Sequence, residues 1–283
     1  MTKGRPLVPL TIAGSDPTGG AGLQADLKVF LRFGLSGASV VTAITAQSPT
    51  GVQSVRPLPA RQVKGQLDAL LSDVRPAAVK VGMLGSGENV RAVARALAPL
   101  ARRNIPIVLD PVFAASDGTR LLPRKELPTF VRLLMPLATV VTPNLEEAAE
   151  LAGMTEPAVR ADAESAVMAI LKTGAQQVLI TGGHMASEES TDVLGDKNQL
   201  TLYSLPRVPR RRRVHGTGCA LTAAITALLA QDLPLEQAIG GAKEFITRAI
   251  AGARHIGRGS RQLDFLVTGG PAEGESGEDA AAD

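Results

Sequence analysis

The chain has 283 residues, 45% hydrophobic and 20% charged, with a formal net charge of +3, a balance ordinary for a globular protein long enough to bury a sizeable core. A single cysteine excludes an internal disulfide, and 2% aromatic content without tryptophan argues against nucleic acid held by base stacking. No apolar run reaches bilayer-spanning length and the first six residues are too few and too polar for a signal peptide, so a cytoplasmic enzyme is expected.

In chain order, Leu7–Ala13 reads as a buried strand that runs into the glycine-rich segment Gly14–Gly22. A helix follows, with Leu23, Leu27, Phe30 and Leu31 on its apolar face and Asp26 in its first turns, either surface-facing or a polar contact at a pocket floor. Ala38–Ala46 is a second strand ending in Gln47 and a turn. A helix around Leu67–Leu71, the strand Ala78–Gly82 and a helix over Val90–Arg103 come next. Ile105–Leu109 is a strand with Asp110 at its C-terminal end. The alternation continues through Leu127–Met135, Thr139–Thr142, two helical stretches between Glu146 and Lys172, and the strand Gln177–Thr181. Thr191–Leu205 has the alternation of a hairpin, and two helices, after Gly218 and over Pro234–Ala249, close the fold.

Such strand–helix alternation predicts a largely parallel sheet with helices on both faces. Residues 7–268 are expected as one domain. Residues 1–6 form a flexible N-terminus, and the Gly-, Ala- and acid-rich stretch 269–283 should be a disordered tail, lacking apolar surface to offset its ordering entropy.

Val214-His215-Gly216-Thr217-Gly218-Cys219 leads into an unbroken apolar run. It reads as a glycine-rich turn that becomes a helix N-terminus, whose free N–H groups and dipole favour an anion. Four consecutive arginines, Arg210–Arg213, precede it; a solvated loop explains them, and a place at a pocket mouth would give them an anionic ligand. Gln47, Asp110, Asn144 and Glu147 all fall at inferred strand ends, where ligands bind in open α/β sheets. Carboxylates there suit Mg²⁺, whereas three scattered histidines do not argue for zinc.

Several segments resemble hydroxymethylpyrimidine/phosphomethylpyrimidine kinases, in the order in which that family carries them. They are Gly14-Ser15-Asp16-Pro17-Thr18-Gly19-Gly20-Ala21-Gly22, continuing to Asp26; Thr45-Ala46-Gln47; Lys80-Val81-Gly82-Met83-Leu84; Asp110-Pro111-Val112; Thr142–Ala148; and His215-Gly216-Thr217-Gly218-Cys219. The resemblance implies a ribokinase-like three-layer α/β/α fold. It also implies transfer of the ATP γ-phosphate to 4-amino-5-hydroxymethyl-2-methylpyrimidine and its monophosphate in thiamine biosynthesis, with Mg²⁺ and in a homodimer.

It further implies that Gln47 and Asp26 read the pyrimidine while Gly14, Ala21, Met83 and Val112 wall the ring. Asp110 and Glu147 would lie near Mg²⁺ and the phosphates, with Asn144 and Thr181 on the nucleotide side. Gly216, Thr217, Gly218 and Cys219 would form the anion hole. Cys219 stands where many sugar kinases carry an aspartate base; at a helix N-terminus its pKa should fall, making a thiolate base, unless the residue only shapes the pocket. Thr181 replaces the family's usual lysine, a loss that the arginine run or Mg²⁺ could offset, and the segment Gly257–Leu263 departs from the family's ending. Pyridoxal kinase is the nearest alternative in chemistry, and a non-catalytic pyrimidine-binding regulatory protein the alternative in class.

Overall fold

The computed structural model describes residues 6–182, 188–209 and 214–267. β1 (Pro9–Ser15) leads to α1 (Gly22–Arg32), and β2 (Ala38–Ser48) turns back into β3 (Gly51–Pro57). The chain then alternates through α2 (Ala60–Leu71), β4 (Ala78–Val81), α3 (Gly87–Ala101), β5 (Ile107–Leu109), α4 (Leu127–Leu134) and β6 (Val140–Val141). Three helices, α5 (Leu145–Ala152), α6 (Glu156–Ala161) and α7 (Ala163–Leu171), precede β7 (Val178–Ile180). The hairpin β8 (Glu189–Gly195) and β9 (Leu200–Pro206) follows, then β10 (Val214–His215), α8 (Thr217–Ala230), α9 (Leu235–Ala251) and β11 (Arg261–Gln262).

Among the described residues nine strands make one sheet in the order β3-β2-β1-β4-β5-β6-β7-β8-β9. The strands from β2 through β7 pair in parallel, and β3, β8 and β9 are antiparallel additions at the edges. β1 has β2 on one side and β4 on the other, so the winding reverses there and opens a crevice beyond the C-terminal ends of these strands. β10 and β11 form a separate two-stranded pair.

Alternate residues of each central strand feed two cores. Leu10, Ile12, Val79 and Val81 pack with α2, α3, α4, α5 and α7, while Ala78, Val108, Val140 and Leu179 pack with α1, α8 and α9. This is the expected α/β/α arrangement. Every residue of α8 from Ala220 to Ala230 is buried, because it lies between the sheet and the other helices of its layer; its sequence therefore shows no amphipathic period.

Two expectations change. Leu31 is 71% exposed instead of sharing the apolar face of α1, and the buried face holds Ala25, Asp26, Val29 and Phe30. β3, α6, β10 and β11 are additional elements; each is short or polar enough to hide its period. The arginine run, His184 and, except for Pro6, both expected flexible ends, 1–6 and 269–283, lie outside the described residues.

Candidate active site

One cavity of about 610 Å³ opens at the C-terminal ends of the parallel strands, a size suited to small organic ligands. Strand ends supply Gln47, Met83, Asp110, Asn144 and Thr181, and loops and helix starts supply Gly14, Ala21, Val112, Glu147 and Gly216–Cys219. Sequence-distant segments are thus brought to one place. Asp26 alone of the expected site residues does not line it.

Beneath the cavity Asp26 is fully buried, its two carboxylate oxygens 2.6 Å from Thr11 Oγ1 and 2.6 Å from Lys80 Nζ. Asp26 balances Lys80, which is itself fully buried and lines the cavity. Burial raises the Asp26 pKa, with Lys80 and Thr11 pulling the other way. Burial also opposes the charge on Lys80, but Asp26 first, then Cys219 and Asp110, outweigh it and raise its pKa. The signal for this ion pair is a lysine inside the apolar strand Ala78–Val81, a position that demands a partner.

The two glycine-rich segments touch. Gly216 caps α8 with φ +81°, and a Cβ there would sit 1.8 Å from Gly20 O. Only glycine allows both the left-handed turn and this approach. No side chain caps α8, and its first internal bond runs from Ala220 N to Gly216 O, so the preceding N–H groups stay aimed at the cavity. Asp16, buried at the end of the first glycine-rich segment's strand, accepts from Thr18 N, Thr18 Oγ1 and Ala21 N at 2.9 Å each and holds that loop closed.

Asn144 and Glu147 form a reciprocal capping box on α5, with both bonds at 3.0 Å. That box turns the Glu147 carboxyl toward Asp110. Burial, then the neighbouring Asp110, pushes Glu147 well above the ordinary range. Asp110 is pushed up to about 6 by burial, against the pull of Lys80 and of contacts from Cys219 and Thr222. Its Oδ2 is buried without a hydrogen-bond partner among the described residues.

The Cys219 expectation is corrected. Burial, with Asp110 and Asp26 adding to it, pushes the thiol up to about 12 despite Lys80. Cys219 is half-buried, and these influences oppose the helix N-terminus and raise its thiol pKa instead of lowering it.

On the far side Thr181 continues β7, bridging to Asn144 and donating its N–H to Pro143 O at 2.9 Å. Next to it Gly182 N donates to Asp192 Oδ1 at 2.9 Å, and Lys243 Nζ binds Asp192 Oδ2 at 2.7 Å. Lys243 and Asp192 line the cavity near Val208, Ile246 and Ile250. They were not legible in sequence, since each looks like an ordinary surface charge of a helix or hairpin.

A parallel sheet between helix layers, with a glycine turn at the mouth of a strand-end cavity, defines a small-molecule kinase of the ribokinase-like fold. Residues 16–264 match the phosphomethylpyrimidine kinase family, and the chain belongs to that family. It is similar to the hydroxymethylpyrimidine/phosphomethylpyrimidine kinase of Rhizobium meliloti, 43% identical over 249 residues that cover 88% of this chain and 92% of the relative. The phosphomethylpyrimidine kinase structure from Clostridium difficile matches with a TM-score of 0.73 at 37% identity, covering 86% of this chain and 99% of that one. The Staphylococcus aureus pyridoxal kinase in complex with ADP matches with a TM-score of 0.83 at 34% identity, over 93% and 94% of the two chains.

Proposed function

We propose that the chain transfers the γ-phosphate of ATP to 4-amino-5-hydroxymethyl-2-methylpyrimidine and then to its monophosphate, in thiamine biosynthesis. The observation that carries this reading is the gathering of Gln47, Met83, Val112, Asp110, Glu147 and the Gly216–Cys219 turn around one cavity. Gln47 offers an amide to the aminopyrimidine edge, and Gly14, Ala21, Met83 and Val112 enclose the ring. Asp26 acts from below, through Lys80.

Asn144, Glu147 and Thr181 border the nucleotide side, where the apolar Val208, Ile246 and Ile250 suit an adenine. The N–H groups of the α8 start, from Thr217 to Cys219, which lack a partner among the described residues, would meet the charge that develops on the transferring group. Lys80 faces the same space from the floor.

Asp110 and Glu147 fit a Mg²⁺ ion: both carboxyls are buried, Asp110 raises the pKa of Glu147, and Asp110 Oδ2 lacks a partner among the described residues. When bound, the ion would offset charge on the phosphoryl oxygens. The hydroxyl proton leaves late in a loose phosphoryl-transfer transition state. A carboxylate of the cavity that the ion does not engage suits that transfer. Cys219 then shapes the turn as a neutral thiol.

An ADP-release assay with the pyrimidine alcohol, and then with its monophosphate, tests the reading; absence of ADP with both would overturn it. Pyridoxal phosphorylation is the second reading, favoured by the likeness to the Staphylococcus aureus structure, and parallel assays with pyridoxal decide between them. Ligand binding without ADP would instead establish a regulatory protein, against which Asp110, Glu147 and the intact turn speak. A homodimer in the cytoplasm is the expected state, and light scattering tests the assembly. No helix among the described residues is long and apolar enough to cross a membrane.

A further inference from the structure

His215 precedes the anion-hole turn and lines the cavity, yet neither its spacing nor the chemistry above uses it. Its Nε2 lies 2.9 Å from the amide end of Gln47 and 3.3 Å from Asp16 Oδ2. Asp16 can only accept there. Burial acts to raise its pKa, but the bond from His215 and those from Thr18 outweigh burial and lower it, so the carboxylate is ionised. An ionised oxygen facing Nε2 requires a hydrogen on that nitrogen. With Nε2–H as a donor, the arm of the Gln47 amide beside it must be the carbonyl oxygen.

The other arm of Gln47 supplies an independent constraint. It lies 3.4 Å from Thr45 Oγ1. The single Thr45 hydroxyl hydrogen is already directed at Ser15 O, 2.9 Å away. Toward Gln47 that oxygen can then only accept, and the amide arm facing it must be the NH₂ group. Carbonyl and NH₂ ends of an amide have nearly the same shape, so the surrounding network decides the orientation. Both neighbours choose the same one, the reverse of the placement in which Gln47 Nε2 faces His215 and Oε1 faces Thr45.

We propose that His215, with Thr45 at the opposite end, locks the Gln47 amide in one orientation and so sets which ring edge the enzyme accepts. The proposal rests on the pyrimidine reading of Gln47. In the locked orientation Oε1 shares the single Nε2–H of His215 with Asp16 Oδ2 and keeps one lone pair for the ligand, while Nε2 donates to Thr45 and keeps one N–H. The edge presented to the cavity is thus an acceptor beside a donor. A 4-aminopyrimidine, with a ring nitrogen next to an amino group, is its complement. The 4-oxo analogue, with N–H beside C=O, has the reverse pattern and is matched only by a flipped amide. His215 is a positioning residue in this scheme: it need not touch the ligand.

The test measures kcat/KM for the 4-amino alcohol and for its 4-oxo analogue in wild-type enzyme and in His215→Leu, His215→Gln and Thr45→Val, with the KM for ATP and the melting temperature alongside. Wild type should prefer the amino compound by about 10³-fold or more, the scale of a site that leaves its polar groups unpaired on the wrong ligand. His215→Leu frees the amide and should lower that ratio at least ~10-fold, with kcat/KM for the oxo compound rising. His215→Gln, which can donate an N–H from near the Nε2 position, should restore most of it. A general structural loss would lower both substrates together and leave the ratio unmoved. Should His215→Leu not fold, Thr45→Val carries the same prediction from the other end of the amide. An unchanged ratio in either folded variant overturns the lock. If wild type phosphorylates neither pyrimidine, the functional reading itself fails, and the lock falls with it.

Discussion

Two side chains carry charge states that their environment dictates. Cys219 has a thiol pushed up to about 12 by burial, with Asp110 and Asp26 adding to it. Its alkylation by iodoacetamide in the free enzyme should therefore keep accelerating with pH through at least 10; a plateau below pH 8 would show a thiolate and reverse the assignment. Cys219→Ser should correspondingly keep turnover within about tenfold, since a neutral thiol is not the proton acceptor. Asp110 behaves oppositely to a salt-bridged carboxylate. Burial raises its folded pKa to about 6 from 3.8, so the native state binds the extra proton between those values. Stability from this group is fully present below about pH 4 and is lost as the pH rises through 6. Asp110→Asn should thus raise the melting temperature at pH 8 by about 2–4 °C per kcal/mol relieved, have no such benefit at pH 4, and reduce turnover by about 10²-fold or more. Calorimetry at the two pH values checks the sign.

At the scale of elements, the junction of α8 with the first glycine-rich segment is the tightest constraint on the site. Gly216 combines φ +81° with an approach that places a Cβ 1.8 Å from Gly20 O. Gly216→Ala should cost at least ~1–3 kcal/mol of stability in strain and displace the N–H groups that face the phosphoryl position. Turnover should then fall by about 10²-fold, measured with saturating ATP. Gly218→Ala is the matched control for space, since nothing lies within 4 Å of a Cβ there; it should leave the melting temperature within about 1 °C. Equal losses of stability in both variants would contradict the packing account. The capping box of Asn144 and Glu147 shows the same economy, ending β6, starting α5 and aiming a carboxyl at Asp110 in one short segment.

For the whole molecule, the cavity joins segments from nearly the full length of the described chain, from Ala13 to Ser260. A ligand that bridges them should stabilise the folded state as a unit. At 100 times its dissociation constant the pyrimidine alcohol should add about 2.7 kcal/mol, or roughly 5–10 °C of melting temperature for a protein of this size. Thermal-shift measurements with the alcohol, ATP and pyridoxal check this; a larger shift with pyridoxal would move the proposal to the second reading. Long-range pairings are what make the unit rigid and also what hid part of the site. Asp26 and Lys80 are 54 residues apart, and Asp16 and His215 are 199 apart. Each motif was visible alone, but no local period tells which charge will be buried against which.

The sequence by itself determined the α/β alternation, the strand-end positions of Gln47, Asp110 and Thr181, and the glycine turn that opens a helix at Gly216, because those follow from local periodicity and backbone chemistry. Its motifs also carried the family resemblance. Tertiary structure alone decided that Asp26 lies under the cavity instead of lining it, that Leu31 faces outward, and that the surroundings of Cys219 raise its thiol pKa. Asp26 and Cys219 share one reason. Burial and the approach of distant charges are properties of the packed sheet and its helices, and a desolvated group answers to those neighbours more strongly than to its own segment.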